Sequence, residues 1–170
     1  MRATVVLILV ISFFSGVTPM KASETHTVSQ VTWNDIFGEA SSDTNTVFSL
    51  MAHGFLYFSE TTNVENVVVS WLKNHPKSVV IPVFTYPEPV MTNNPLSRIK
   101  YVWLVQGHDS LNVELVRRGC VWPDTEMLLP KQNPQVTQKD YKSFIKKIIK
   151  AGEKAEKEKL GLWRQARPER

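Results

Sequence analysis

The chain has one cysteine, Cys120. That excludes an internal disulfide, and with it the stapled class of small secreted module. The four histidines, His26, His53, His75 and His108, stand far apart, so no Cys/His spacing of a zinc site arises. Cys120 itself lies in a short apolar run and reads as a small core hydrophobe. Arginine is missing from everything between Arg2 and Arg98. A guanidinium fork, which pairs two phosphate oxygens at once, therefore cannot come from the first half of the chain. Lys73 and Lys77 offer only point charges there. One long apolar run exists, Thr4–Phe14, and it is too short for a comfortable membrane span. Internal repeats and low-complexity segments are absent.

What is present fits one globular domain. At 170 residues, with 42% hydrophobic residues, the chain can bury a single core. Its net charge of +4 is unevenly placed. From Thr137 onward eleven Lys and Arg face five Asp and Glu, an excess of six, so the rest is about −2. A basic C-terminal helix suits a polyanion, and a solvated helix face gives the same count. Met1-Arg2 followed by Thr4–Phe14 has the pattern of a secretory signal, expected to end near Ala22. The expected division is residues 1–22 as signal peptide and 23–170 as the folded domain, with an uncleaved anchor as the other reading. No cysteine directly follows the apolar run, which argues against a lipid-anchored bacterial protein. Export without disulfides points to a secreted or bacterial periplasmic location.

The pattern then alternates between sheet and helix signals. Val31–Phe37 reads as a strand and Gly38–Asp43 as a turn. Thr44–Leu50 and Phe55–Phe58 read as two further strands. Thr62-x-x-Glu65 has capping-box spacing, and Val64, Val67, Val68, Trp71 and Leu72 form one apolar helix face that Asn74-His75-Pro76 ends. Ser78–Phe84 is a strand whose Pro82 requires an edge or a bulge. Tyr86–Pro95 and Pro123–Pro134 are proline-bearing loops. Thr137-x-x-Asp140 opens a last helix with Tyr141, Phe144, Ile145, Ile148 and Ala155 on one stripe, and Gly161 is its expected stop.

Tyr101–Trp122, reading YVWLVQGHDSLNVELVRRGCVW, organises the rest. Tyr101–Val105 is a strand, Gln106–Asp109 a turn, and Ser110 or Asn112 caps a short helix carrying Leu111, Leu115 and Val116. Arg117 and Arg118 suit its negative end, Gly119 its left-handed cap, and Cys120–Trp122 begins a second extended run. This stretch, with its "N-x-E-L-V-R-x-G" helix, resembles the segment after the catalytic arginine in staphylococcal nuclease (thermonuclease-like) domains. The ending AGEKAEKEKLGLW, Ala151–Trp163, resembles the last helix and "G-L-W" exit of the same family. The resemblance runs from about Val64 to Trp163. It implies an α+β fold, a five-stranded OB-type barrel with about three helices.

The resemblance also implies chemistry. The family hydrolyses phosphodiesters with a calcium ion held by two carboxylates, a glutamate near the attacking water and two arginines on the phosphate. Calcium takes oxygen ligands in flexible geometry, and arginine stays charged while gripping two oxygens. In Ser41-Ser42-Asp43-Thr44, Asp43 matches the family's first metal carboxylate; it also reads as a plain turn aspartate. In the stretch from Ala52 to Glu60, Glu60 matches the glutamate. The family's first arginine is replaced by Ala52 and its second metal aspartate by Tyr57, and Ser59 replaces a proline. Arg98 matches the second arginine; it also reads as a surface arginine. Asp35 or Glu39 would supply a carboxylate under another alignment. Each lost transition-state contact is typically worth roughly 3–4 kcal/mol, or about 10²–10³ in rate.

Three functions remain. The first is a secreted, calcium-dependent phosphodiesterase of weak activity, with Arg98 and Glu60 catalytic and Asp43 on the metal. The second is a catalytically degenerate barrel that binds single-stranded DNA or RNA, or a protein partner. The seven lysines Lys139, Lys142, Lys146, Lys147, Lys150, Lys154 and Lys157 would touch a nucleic-acid backbone, while Tyr86, Tyr101 and Trp103, near the expected groove, are assigned to the core. The third is a soluble envelope protein with no polyanion role.

Overall fold

A computed structural model describes residues 26–34, 36–40, 43–50, 63–86, 96–123 and 136–164, with backbone alone for Asp43 and Thr44. The elements are β1 (His26–Thr27), β2 (Val31–Asn34), β3 (Phe37–Ala40), β4 (Asp43–Ser49), α1 (Val64–Asn74), β5 (Val79–Thr85), β6 (Arg98–Gln106), β7 (Asp109–Ser110), α2 (Leu111–Arg117) and α3 (Gln138–Lys157). The strands join one sheet in the order β1-β5-β6-β4-β3-β2, with β7 also on β6. The β4–β6 pair is parallel, and its neighbours β3–β4 and β5–β6 are antiparallel.

The connectivity forces this sheet to curl. Its two outer strands, β1 and β2, are joined by a single 3-10 turn, Val28–Gln30. Six strands laid flat would hold their outer members about 24 Å apart at roughly 4.8 Å per step. The link from Thr27 to Val31 reaches at most about 14 Å even when extended. A second observation agrees. His26 on β1 and Phe48 on β4 lie three steps apart in strand order, yet their ring centroids are 5.2 Å apart. The result is α+β: a curled mixed sheet forming a half-barrel, with three α-helices among the described residues.

Helix α1 buries Val64, Val67, Val68 and Trp71, the face expected from spacing. Asn63 takes its N-cap position without a capping hydrogen bond from its side chain. In β5 the register shifts between Pro82 and Phe84, the irregularity that a proline without a donor demands. Trp103 stacks on Phe144 at 4.1 Å between centroids and lies near Tyr141 at 6.1 Å, so α3 covers that face of β6. Among the described residues no helix is long and apolar enough to cross a membrane.

Several expectations are corrected. The α+β class holds, and among the described residues there are seven strand segments, two of them of only two residues, where the resemblance implies a five-stranded barrel. The expected strand Val31–Phe37 is two antiparallel strands, one ending at Asn34 and the next beginning at Phe37, and Gly38, read as a turn residue, lies inside β3. Gly38 pairs with Trp33, and a Cβ added there would meet Val31 Cγ1 at 2.7 Å and the Trp33 ring at 2.9 Å. The glycine makes room for an indole, which a turn rule cannot see. The run after Gly119 is reduced to one bridge residue, Val121. The expected strand Phe55–Phe58 and the segment 1–22 lie outside the described residues.

Asn112 is not a cap but a strut. Ser110 holds the N-cap position of α2, and Asn112 is fully buried. Its Oδ1 accepts from the Leu104 amide at 3.0 Å, and its Nδ2 donates to the Val102 carbonyl at 3.1 Å and the Leu50 carbonyl at 3.4 Å. The β4 ladder on β6 ends at the Ser49–Tyr101 rung, and β7 begins opposite Val105. The Asn112 amide fills that gap as a peptide group would, satisfying backbone groups that would otherwise be buried unpaired.

Helix α2 ends as expected. The Gly119 amide donates to the Val116 carbonyl and the Cys120 amide to the Leu115 carbonyl, both at 2.9 Å, with Gly119 at φ +68°. Helix α3 ends by the same pattern, but two residues before the expected Gly161. Lys159 takes the left-handed position at φ 51°, with Lys159 and Leu160 amides donating to the Glu156 and Ala155 carbonyls. Gly161 instead packs on Gly119: the Leu162 amide donates to the Gly119 carbonyl at 2.8 Å, and a Cβ on either glycine would come within 2.2 Å of backbone oxygen. Trp122 and Trp163 close edge to face over this junction, at 4.4 Å.

Three stability changes follow, each measured by urea unfolding. Asn112→Ala, which leaves buried ladder groups unpaired, loses about 3 kcal/mol or more. Gly119→Ala loses at least about 2 kcal/mol, because its left-handed φ and a rigid backbone neighbour both resist a methyl group. Lys159→Gly gains about 1 kcal/mol by relieving the same conformation.

Candidate nucleic-acid interface

Arg98 is the first residue of β6 and stands opposite Thr46 of the parallel strand β4. Side chains alternate along a strand, so Arg98, Lys100, Val102 and Leu104 share one face. Val102 and Leu104 are fully buried. The face is concave: Leu104 registers with Val80, Val80 with His26, and Lys100 with Phe48, and the His26 and Phe48 rings meet across it. Arg98 and Lys100 therefore stand at the mouth of the curled sheet, about 7 Å apart along the strand. Both are half-buried. One terminal nitrogen of Arg98 donates to the Ser97 carbonyl at 2.7 Å, and Ser97 is itself buried. Lys100 had no place in the sequence reading. Its signal was simple period-two alternation with Arg98, Val102 and Leu104.

The convex face of the same strand end is aromatic. Tyr101 pairs with Phe84, their rings 6.0 Å apart and near parallel. The Tyr86 amide donates to the Ile99 carbonyl at 2.9 Å. Of the three aromatics assigned to the core, Trp103 is buried under α3, Tyr101 is half-buried and Tyr86 is exposed. Burial, and then the neighbouring Tyr86 phenol, push the Tyr101 hydroxyl above its ordinary value of 10.0.

The other expected site residues are only partly placed. Asp43 opens β4 opposite Ala40, and only its backbone is described. It precedes Thr46 by three residues, so it lies about 10 Å along the strand beyond the Arg98 rung, at the same end of the sheet. Glu60 lies outside the described residues, as do Asp35, Ala52 and Tyr57. Glu39 registers with Val47, and Val47 with Ile99, which puts its exposed carboxylate on the convex face, away from Arg98. The seven lysines of α3 are all exposed. Their helix covers the convex face, so they and the Arg98–Lys100 pair lie on opposite sides of the sheet.

Calcium needs about six to eight oxygen ligands. Among the described residues no three His, Cys, Asp or Glu side chains gather, and Glu39 is on the wrong face. The described residues alone do not gather a calcium ligand set. What the arrangement offers is a fork and a point charge at the rim of a concave apolar surface, which suits a phosphate oxygen. The chain matches no protein-family model and no curated protein.

The raised Tyr101 phenol has a consequence for stability. Because its folded value exceeds its unfolded one, it contributes stability at neutral pH that is lost as pH rises past about 10. Tyr101→Phe is expected to flatten the alkaline limb of a stability–pH curve from chemical unfolding, with little change at pH 7.

Proposed function

We propose that this chain is a staphylococcal-nuclease-like, OB-type barrel whose concave mouth binds single-stranded nucleic acid, with phosphodiester hydrolysis lost or weak. The observation that carries this is the placement of Arg98 and Lys100 two residues apart on the concave face of β6. A single strand tracks such a groove by placing successive phosphates on cations and bases on apolar or aromatic surface. Residues 1–22 further suggest work outside the cytoplasm. A second reading, calcium-dependent hydrolysis, is supported by Asp43 opening β4 at the same sheet end as Arg98. With no arginine before Arg98 in the mature chain, one phosphate grip of the family's mechanism has no donor, so any rate would fall by about 10²–10³.

Fluorescence anisotropy with a labelled single-stranded oligonucleotide, read across a salt series, tests the binding. Two phosphate contacts give a slope of log affinity against log salt of about −1.4, at roughly −0.7 per contact. Arg98→Ala and Lys100→Ala each reduce the slope by about 0.7. Binding that is absent at low salt, or unmoved by both substitutions, overturns the assignment. Calcium-dependent shortening of the same oligonucleotide, abolished by Arg98→Ala, would instead favour the second reading.

A further inference from the structure

At the far end of β6, about 25 Å from Arg98 by strand length, lies a cleft that the proposed interface does not use. It has a volume of about 490 Å³, the size that holds a small ligand. Four elements line it: α1 with the residue after it, the β6–β7 turn, α2 and α3. Val67, Trp71 and Val113 give it an apolar floor. The charged walls are Arg117 at the end of α2, its C-cap Arg118 and Lys147 of α3, with His75 and His108 also on the lining.

One carboxylate of the cleft, Glu114, is already engaged. Glu114 spends one oxygen on Arg117, through Nε at 2.8 Å and a terminal nitrogen at 2.6 Å, and the other on Arg118 Nε at 2.6 Å. Burial alone would raise the Glu114 carboxyl, but the hydrogen bonds and charges of Arg118 and Arg117 outweigh it and hold the group below its ordinary value. Asp109 stands 3.6 Å from His75 Nε2, while His75 Nδ1 donates to the Trp71 carbonyl at 2.9 Å and the His75 ring stacks on Trp71. Glu114 thus acts as a brace. It holds two guanidinium groups side by side, and among the described residues Arg118 is bound through Nε alone, which leaves its terminal nitrogens for another partner. Three full positive charges stand against two carboxylates. The partial negative charge at the end of the seven-residue helix α2, at most about half a charge, does not reverse the excess.

We propose that this cleft binds a small organic phosphate, with the phosphate on Arg117, Arg118 and Lys147 and its less polar body on the floor formed by Val67, Trp71 and Val113. Paired guanidinium groups suit a phosphate because each offers a planar fork, and a lysine from a second helix neutralises the remaining charge. The assignment is independent of the strand-binding mouth, which it does not touch.

Isothermal titration of the mature chain at low salt, with inorganic pyrophosphate and with adenosine monophosphate as separate probes, tests it. Both probes are expected to bind, the mononucleotide more tightly because it also covers the floor. The double variant Arg118→Gln, Lys147→Gln lowers affinity for both by at least about tenfold, while thermal unfolding shows the chain still folded. The double variant Arg98→Ala, Lys100→Ala leaves both affinities unchanged, which separates this site from the mouth. Failure of both probes to bind at millimolar concentration overturns the proposal, as does binding that follows Arg98 and Lys100 instead. Pyrophosphate binding equal to that of the nucleotide overturns the part assigned to the apolar floor.

Discussion

Three residues, Val28–Gln30, set the shape on which the rest depends. They tie the first strand of the sheet path to the last, and no flat sheet of six strands can satisfy so short a tie. Curling gives β6 a concave face and a convex face with different fates. The concave face carries Val102 and Leu104 into the core and leaves Arg98 and Lys100 at the rim. The convex face is covered by α3 through Trp103, Tyr141 and Phe144. Without the curl, Arg98 would be one more cation on an open sheet. With it, Arg98 stands where desolvation makes a charge-assisted contact count for more than it would in bulk water.

The parallel β4–β6 pair adds a second constraint. Parallel neighbours leave a gap where one strand ends, and here the gap opens at Val102–Leu104, in the middle of the core. A buried side-chain amide is a sound replacement because it has the donor and acceptor of a peptide in one plane. The same residue ties Leu50 at the end of β4 to α2, so one side chain joins strand, strand end and helix. Satisfied in full, such a network specifies one arrangement; half satisfied, it would cost more than an apolar core.

Much of this fold was legible in sequence, and the failures have identifiable causes. Helices α1, α2 and α3 were found because their apolar spacing and end signals agree; Thr137 Oγ1 accepts from the Asp140 amide at 3.1 Å, as the spacing required. Pro82 announced its bulge because the missing donor is a local fact. Gly38 misled because its reason is a cross-strand indole, not its own backbone. Lys159 misled because a left-handed lysine is held by the Gly119–Gly161 junction behind it, a tertiary cause that no local rule contains. The candidate site was less legible. Arg98 was reached by alignment to a motif, but Lys100 needed only the strand's alternation, and Glu39 was discounted only once register put it on the opposite face.

The residues that carry the resemblance to staphylococcal nuclease have their own physical explanations. Asn112 fills a ladder gap, Glu114 braces Arg117 and Arg118, Gly119 takes a left-handed cap, and Gly161 lets two chain segments touch. Each answers a demand of architecture, and none faces the rim that holds Arg98. A motif made of such residues therefore speaks to how the chain is built, whereas chemistry is decided by side chains that the architecture leaves free to vary.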